Sequence, residues 1–383
     1  MTEDGDEPAE VTDADGPDDD AIADDAIADD TDAFRRYLRA KRTVDDRALD
    51  RRLVEILRER LADRAAASAG PLRVLEVGAG IGTMVARLID WGVLPPGETR
   101  YVAVDRDGET LAGLGPFLRE WATDREGSVS IEAAAGNADG DALVVETDAR
   151  TVRVEPVAAD AVAYAAERPS EWDALIGMAL LDVLDLDGLD ALVDALAPGG
   201  TYYFPITFDG GTRFRPAHPD DRAVERLYHR HMDEKPGGNS RAGGAALSRL
   251  RAADDSTLLG VAGSDWVVRP ADGAAGYPGD EAFFVRHILD TVEDAVGEVI
   301  ATDGAPTDGD PTDGAPTDGD PTDGAPTDGT SAERGDRAPR GSGSLSAADL
   351  DAWLSERRRR VDAAELVYLT HQLDLLGRVD GDD

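Results

Sequence analysis

Residues Val74-Leu-Glu76-Val-Gly78-Ala-Gly80-Ile-Gly82 form a short apolar run that breaks into three alternating glycines, and a helical stretch opens near Thr83. Glycines let a chain turn tightly with no Cβ in the way of a ligand, and the helix N-terminus behind them adds a partial positive charge. Such strand–turn–helix units belong to parallel sheets covered by helices on both faces, which bind ligands at the carboxyl ends of their strands. The neighbouring sequence keeps the alternation. Arg73–Val77, Tyr101–Val104, Ala174–Met178 and Thr201–Ile206 read as strands, and Gly82–Asp90, Glu109–Ala122, Ala161–Glu167 and Leu189–Leu196 read as helices. Between them Ala142–Glu146 and Thr151–Val157 pair as a hairpin. The expected fold is therefore α/β, a doubly wound and mostly parallel sheet.

The flanks read differently. Residues 1–32 hold 15 acids and no base, which predicts a solvated, disordered tail. Asp32 and Asp45 are placed to cap helices over Ala33–Arg42 and Asp46–Ala66. From Thr302 the unit Thr-Asp-Gly-Ala/Asp-Pro repeats five times, so residues 302–343 are expected to be a low-complexity linker after a main domain over 33–301. Residues 344–383 are expected to be C-terminal helices docked on that domain. Leu366, Leu369, Leu373 and Leu376 have helical spacing, and Arg357–Arg360 reads as a solvated helix face.

Two ligand classes use a glycine turn of this kind. A dinucleotide fold wants a third glycine at position 83, which is threonine here, whereas the pattern acid, then G-x-G-x-G is met at Glu76, Gly78, Gly80 and Gly82. The next strand, Tyr101-Val-Ala-Val-Asp105, ends in an acid 23 residues beyond Gly82, and a carboxylate can accept two hydrogen bonds from a diol. Asp160 follows the run Val154–Val157, the stretch from Trp172 to Asp182 forms another strand with its exit, and Pro198-Gly-Gly200 turns into the strand after that.

With these marks in order, residues 70–208 resemble the class I S-adenosylmethionine-dependent methyltransferases. The resemblance implies a seven-stranded Rossmann-like sheet with helical additions at both ends, and S-adenosylmethionine as cofactor. It implies that Glu76, Gly78, Ala79, Gly80 and Gly82 face the amino-acid half of the cofactor. Asp105 and Arg106 would flank the ribose, Asp160 would sit near the adenine amino group, and Met178 would line the cleft shared with the methyl acceptor. A nicotinamide-dependent oxidoreductase and a non-catalytic cofactor-binding protein are the other readings of the same turn.

Catalytic groups are less stereotyped. The polar stretch Tyr228-His-Arg-His-Met-Asp-Glu-Lys235 makes His229 and His231 the candidates for a general base, with Asp233 or Glu234 as partners if they instead held a metal. The chain has no cysteine, which excludes thiolate nucleophiles, thiolate metal sites and disulfides. No Asn-Pro-Pro-aromatic sequence ends the fourth strand, which argues against amino-methylation of nucleobases, and no basic patch interleaved with aromatics suggests an RNA platform. A small-molecule acceptor is expected.

The charge bears on habitat. Eighty acids face 39 bases for a net charge of −41, and Lys41 and Lys235 are the only lysines. In molar salt the Debye length shrinks to about 3 Å and self-repulsion nearly vanishes, so an acid-coated, lysine-poor chain suits a halophilic cytoplasm. No apolar run long enough for a membrane helix is present, and the acidic N-terminus is unlike a signal peptide.

Overall fold

The structure is a computed structural model that describes residues 19–125, 129–137, 140–273, 276–304 and 345–381. Helices α1 (Asp19–Ala48) and α2 (Arg51–Ala67) lead into β1 (Leu72–Val77), α3 (Thr83–Asp90), β2 (Gly97–Asp105), α4 (Gly108–Ala112) and α5 (Leu114–Thr123). Next come β3 (Val129–Asn137), β4 (Gly140–Thr147), β5 (Arg150–Ala158), α6 (Ala161–Ala166), β6 (Trp172–Ile176), α7 (Leu189–Asp194) and β7 (Leu196–Arg215). The chain continues through α8 (Asp221–Glu234), α9 (Ala242–Ala252), β8 (Ser256–Gly263), β9 (Trp266–Val268), α10 (Glu281–Gly304), α11 (Ala347–Asp362) and β10 (Val367–Val379).

Ten strands form one sheet in the order β3-β4-β5-β2-β1-β6-β7-β10-β8, with β9 also on β10. The central five, β5-β2-β1-β6-β7, are parallel, and β10 runs antiparallel to both β7 and β8. The expected hairpin is present as β4 and β5. Strand order reverses on the two sides of β1, the switch point at which such sheets open a crevice.

Both faces of the sheet are covered, which explains why its central strands are apolar almost throughout. In β1 and β2, Val74, Tyr101 and Ala103 enter one core with Leu53, Leu57 and Leu61 of α2. Leu75, Val77, Val102 and Val104 enter the other with Leu189 and Leu192 of α7. Each fully buried valine or leucine among them contributes about 1.5–3 kcal/mol.

The flanking segments depart from expectation in three places. Helix α1 already begins at Asp19, so residues 19–32 are helical, in keeping with the alanine-rich sequence there. Asp45 lies inside α1 as a buried acceptor for Lys41 Nζ (2.8 Å) and Trp266 Nε1 (3.0 Å), and the cap of α2 is Asp50, which accepts from Leu53 N–H. The low-complexity repeat lies outside the described residues, apart from the end of α10.

The largest correction concerns the C-terminus. Among the described residues there only α11 is a helix, and Leu369, Leu373 and Leu376 belong to β10. Tyr368, Thr370, Gln372 and Asp374 alternate into one face of the sheet, and neighbouring strands on both sides take up the backbone hydrogen bonds. Arg357 is not solvated either. It is buried beneath Trp353 and Phe214, and its guanidinium donates to Asp221 and to Pro216 O, tying α11 to the start of α8.

Candidate functional site

At the carboxyl end of β1 the chain passes through Gly78, Gly80 and Gly82 with φ of +69°, +53° and +81°, a region that favours glycine. Two bonds tie this turn to the end of β2: Ala79 N–H donates to Val104 O at 3.0 Å, and Gly80 N–H donates to Asp105 Oδ2 at 2.8 Å. A Cβ on Gly78 would lie 3.0 Å from Leu180 Cδ1, and one on Gly80 would lie 3.1 Å from Leu38 Cδ1. Gly82 has another task. It is the N-cap of α3, where a Cβ would come within 2.9 Å of Leu114 Cγ, and it does not line the cleft.

The cleft above this turn measures about 500 Å³ and is walled by Glu76, Gly78, Ala79, Gly80, Asp105, Arg106, Asp160 and Met178 together with the inner face of α1. Of the cofactor-binding residues expected from the sequence, all but Gly82 therefore meet around one cavity. Asp105 is oriented by two backbone donors, since its Oδ1 also accepts from Asp107 N–H at 2.9 Å. Asp160 caps α6 through Ala163 N–H at 2.9 Å while reaching the cleft wall. Glu76 is buried in the floor and accepts from Tyr101 Oη at 2.7 Å. Burial pushes its carboxyl up to about 8, against the pull of the Tyr101 hydrogen bond and Arg87, so it holds a proton at neutral pH.

Helix α1 is fixed across the cleft by ionic contacts from below. Arg87 of α3, only 1% exposed, donates to Asp46 at 2.5 Å and lies 3.9 Å from Asp45, while its Nη1 is 3.4 Å from Met178 Sδ. Lys41, one of two lysines in the chain, lines the cleft and is ion-paired with Asp45 beneath the Trp266 ring.

Beyond Tyr37 and Asp182 the cleft adjoins a second cavity of about 230 Å³. Its floor is the exit of β6 and the middle of β7, where Ala179 and Ile206 both have positive φ, +51° and +58°. A branched side chain at such a φ is strained, and the surroundings hold it there: Ile206 N–H donates to the buried carboxylate of Asp374 at 2.9 Å. Asp182, half-buried, lines both cavities, and its Oδ1 is buried with no hydrogen-bond partner. Burial pushes this carboxyl up to about 6, with Lys41 pulling the other way.

His229 and His231 line neither cavity. His229 meets Thr212 Oγ1 at 3.1 Å and the edge of Phe208, and burial holds its imidazole below the usual range. His231 meets Glu298 at 2.7 Å and joins α8 to α10, and Asp233 receives the Ser240 backbone N–H at 2.7 Å. Tyr37, Lys41 and Gln372 are not among the residues expected from the sequence, and Asp182 enters there only as the end of the strand whose exit lines the cleft. Asp182 had a visible signal, being the acid at the exit of a strand beside the switch point. The others come from helix α1 and strand β10, whose approach to the site is a tertiary matter.

No family model and no curated protein matches the chain. Solved structures do resemble it. A protein of Bacillus halodurans assigned as a methyltransferase is 12% identical, with a TM-score of 0.39 over 83% of this chain and 97% of that one. An S-adenosylmethionine-dependent methyltransferase of Geobacter sulfurreducens, solved with S-adenosylhomocysteine, is 11% identical with a TM-score of 0.34, over 87% and 92% of the two chains. A phosphoethanolamine N-methyltransferase of Haemonchus contortus is 12% identical with a TM-score of 0.31, over 85% and 53%. These likenesses are distant in sequence.

Proposed function

We propose that this chain is an S-adenosylmethionine-dependent methyltransferase that acts on a small-molecule acceptor. The observation that carries this reading is the pinning of Asp105 by Gly80 N–H at the switch point, with Glu76 buried alongside and a second cavity adjoining. The donor set suits this cofactor. Asp105 has lone pairs for a ribose diol, the two glycines leave the space that Cβ atoms would fill, and Glu76 offers a carboxyl to an α-ammonium group. When bound, the cofactor supplies an electrophilic methyl group. Residues of this chain would hold it, align the acceptor in the second cavity and take up a proton at Asp182.

A nicotinamide cofactor is less well served, because Thr83 stands where that turn wants its third glycine. A binding protein without turnover would have no need of the adjoining cavity. We further propose a halophilic cytoplasm as the setting, on the strength of the acidic, lysine-poor composition. Among the described residues no helix is long and apolar enough to cross a membrane.

The test is to incubate the full chain in multimolar KCl with methyl-labelled S-adenosylmethionine and a halophile cell extract, then to separate the products by size. Label is expected in small molecules. Label confined to protein or nucleic acid would overturn the acceptor class.

A further inference from the structure

The second cavity carries an inference about the acceptor that rests on the methyltransferase reading. We propose that it receives a small cationic amine. Phe34, Tyr37, Phe208, Tyr228, Trp266 and Tyr368 wall it, and aromatic faces attract cations. Asp182 is the only lining side chain that carries charge at neutral pH. No lysine or arginine is among the lining residues, and burial holds the imidazole of His287 below its usual range, so that it is neutral. Lys41, on the cofactor side, is taken up by Asp45.

Hydrogen bonding points the same way. Gln372 and Thr370, 3% and 4% exposed, line this cavity, and Gln372 Oε1, Thr370 Oγ1 and Asp182 Oδ1 all lack partners. Unpaired buried oxygens are costly until a donor arrives. An ammonium group brings up to three N–H donors, whereas a carboxylate or fully ionised phosphate brings none, and either would set its charge against Asp182. The volume, about 230 Å³, is the liquid share of about eight waters, which limits the occupant to a small molecule.

An ammonium nitrogen has no lone pair for a methyl carbon. Asp182 is the lining group that can accept the proton: an N–H bond breaks, an O–H bond forms on Oδ1, and the electron pair stays on nitrogen. Its raised affinity for protons brings it closer to an amine than an ordinary carboxylate would be.

Three probes of one skeleton and different charge test this on the full chain saturated with S-adenosylhomocysteine: 2-phenylethylamine, 2-phenylethanol and 3-phenylpropionate, each titrated by calorimetry. The amine is expected to bind roughly tenfold or more tighter than the alcohol, with the propionate weakest. Asp182→Asn is expected to abolish most of that preference, and Tyr228→Leu, a change confined to the second cavity, to weaken the amine alone. Equal affinity for amine and alcohol, or tighter binding of the propionate, would overturn the inference. S-adenosylhomocysteine is titrated first on the same sample. If it binds and the amine shows no preference, the amine inference fails alone; if it does not bind, the methyltransferase reading fails.

Discussion

Replacing Asp105 by alanine is expected to weaken S-adenosylhomocysteine binding by about thirtyfold or more, the largest loss for any single side chain of the cleft. A ribose diol would give this carboxylate two charge-assisted hydrogen bonds, and hydrogen bonds to charged groups contribute about 1.5–3 kcal/mol each. The same carboxylate also accepts from Gly80 N–H and Asp107 N–H, so its removal frees the glycine turn from the end of β2. Asp105→Asn separates the two effects. It keeps an oxygen for Gly80 N–H and loses the charge, so the turn should persist while affinity falls by an intermediate amount. Calorimetry with both variants decides the matter, and an alanine variant within about threefold of the natural chain would contradict the role given to Asp105.

Asp374→Ala is expected to cost about 3–5 kcal/mol of folding stability. The carboxylate of Asp374, fully buried in β10, accepts from Ile206 N–H at 2.9 Å, from Tyr203 Oη at 3.0 Å and from Asp50 N–H at 3.0 Å. Truncation leaves three donors unpaired in or near the core, at about 1–3 kcal/mol for each buried one. It also releases Ile206 from its positive φ at the floor of the second cavity. Denaturant unfolding measures the loss, and a change below about 1 kcal/mol would show that β10 is held by something else. Because Thr370 and Gln372 stand on the same face of β10 as Asp374, the variant should also weaken amine binding more than binding of S-adenosylhomocysteine.

How much of this was legible in the sequence depends on how local each feature is. The glycine turn and Asp105 could be read because a strand, its turn and the acid ending the next strand are set by short-range steric and hydrogen-bonding rules. The hairpin of β4 and β5 was legible for the same reason. Strand β10 was not. Its inward face carries the polar residues Thr370, Gln372 and Asp374 while Leu369 and Leu373 stand on the half-buried face, so apolar residues do not mark the core there, and Leu366, Leu369, Leu373 and Leu376 imitate a helical stripe. The aromatic and β-branched residues Val367, Tyr368 and Thr370 were the only local sign of strand. His229 and His231 drew notice by chemistry and not by position. Asp182 earned less notice although it follows a strand at the switch point, and Tyr37 and Lys41 reach the cleft only because α1 is anchored by Arg87 and Trp266.

The most direct measurement of the central claim is a calorimetric titration of the full chain with S-adenosylhomocysteine and, separately, with NAD, below pH 8 and in buffers of different ionisation enthalpy. One molecule of S-adenosylhomocysteine per chain is expected to bind, and NAD is not. An α-ammonium beside Glu76 favours the carboxylate, whose value of about 8 otherwise keeps it protonated, so binding should release a proton and its heat should vary with the buffer. Binding of NAD with no affinity for S-adenosylhomocysteine would contradict the account.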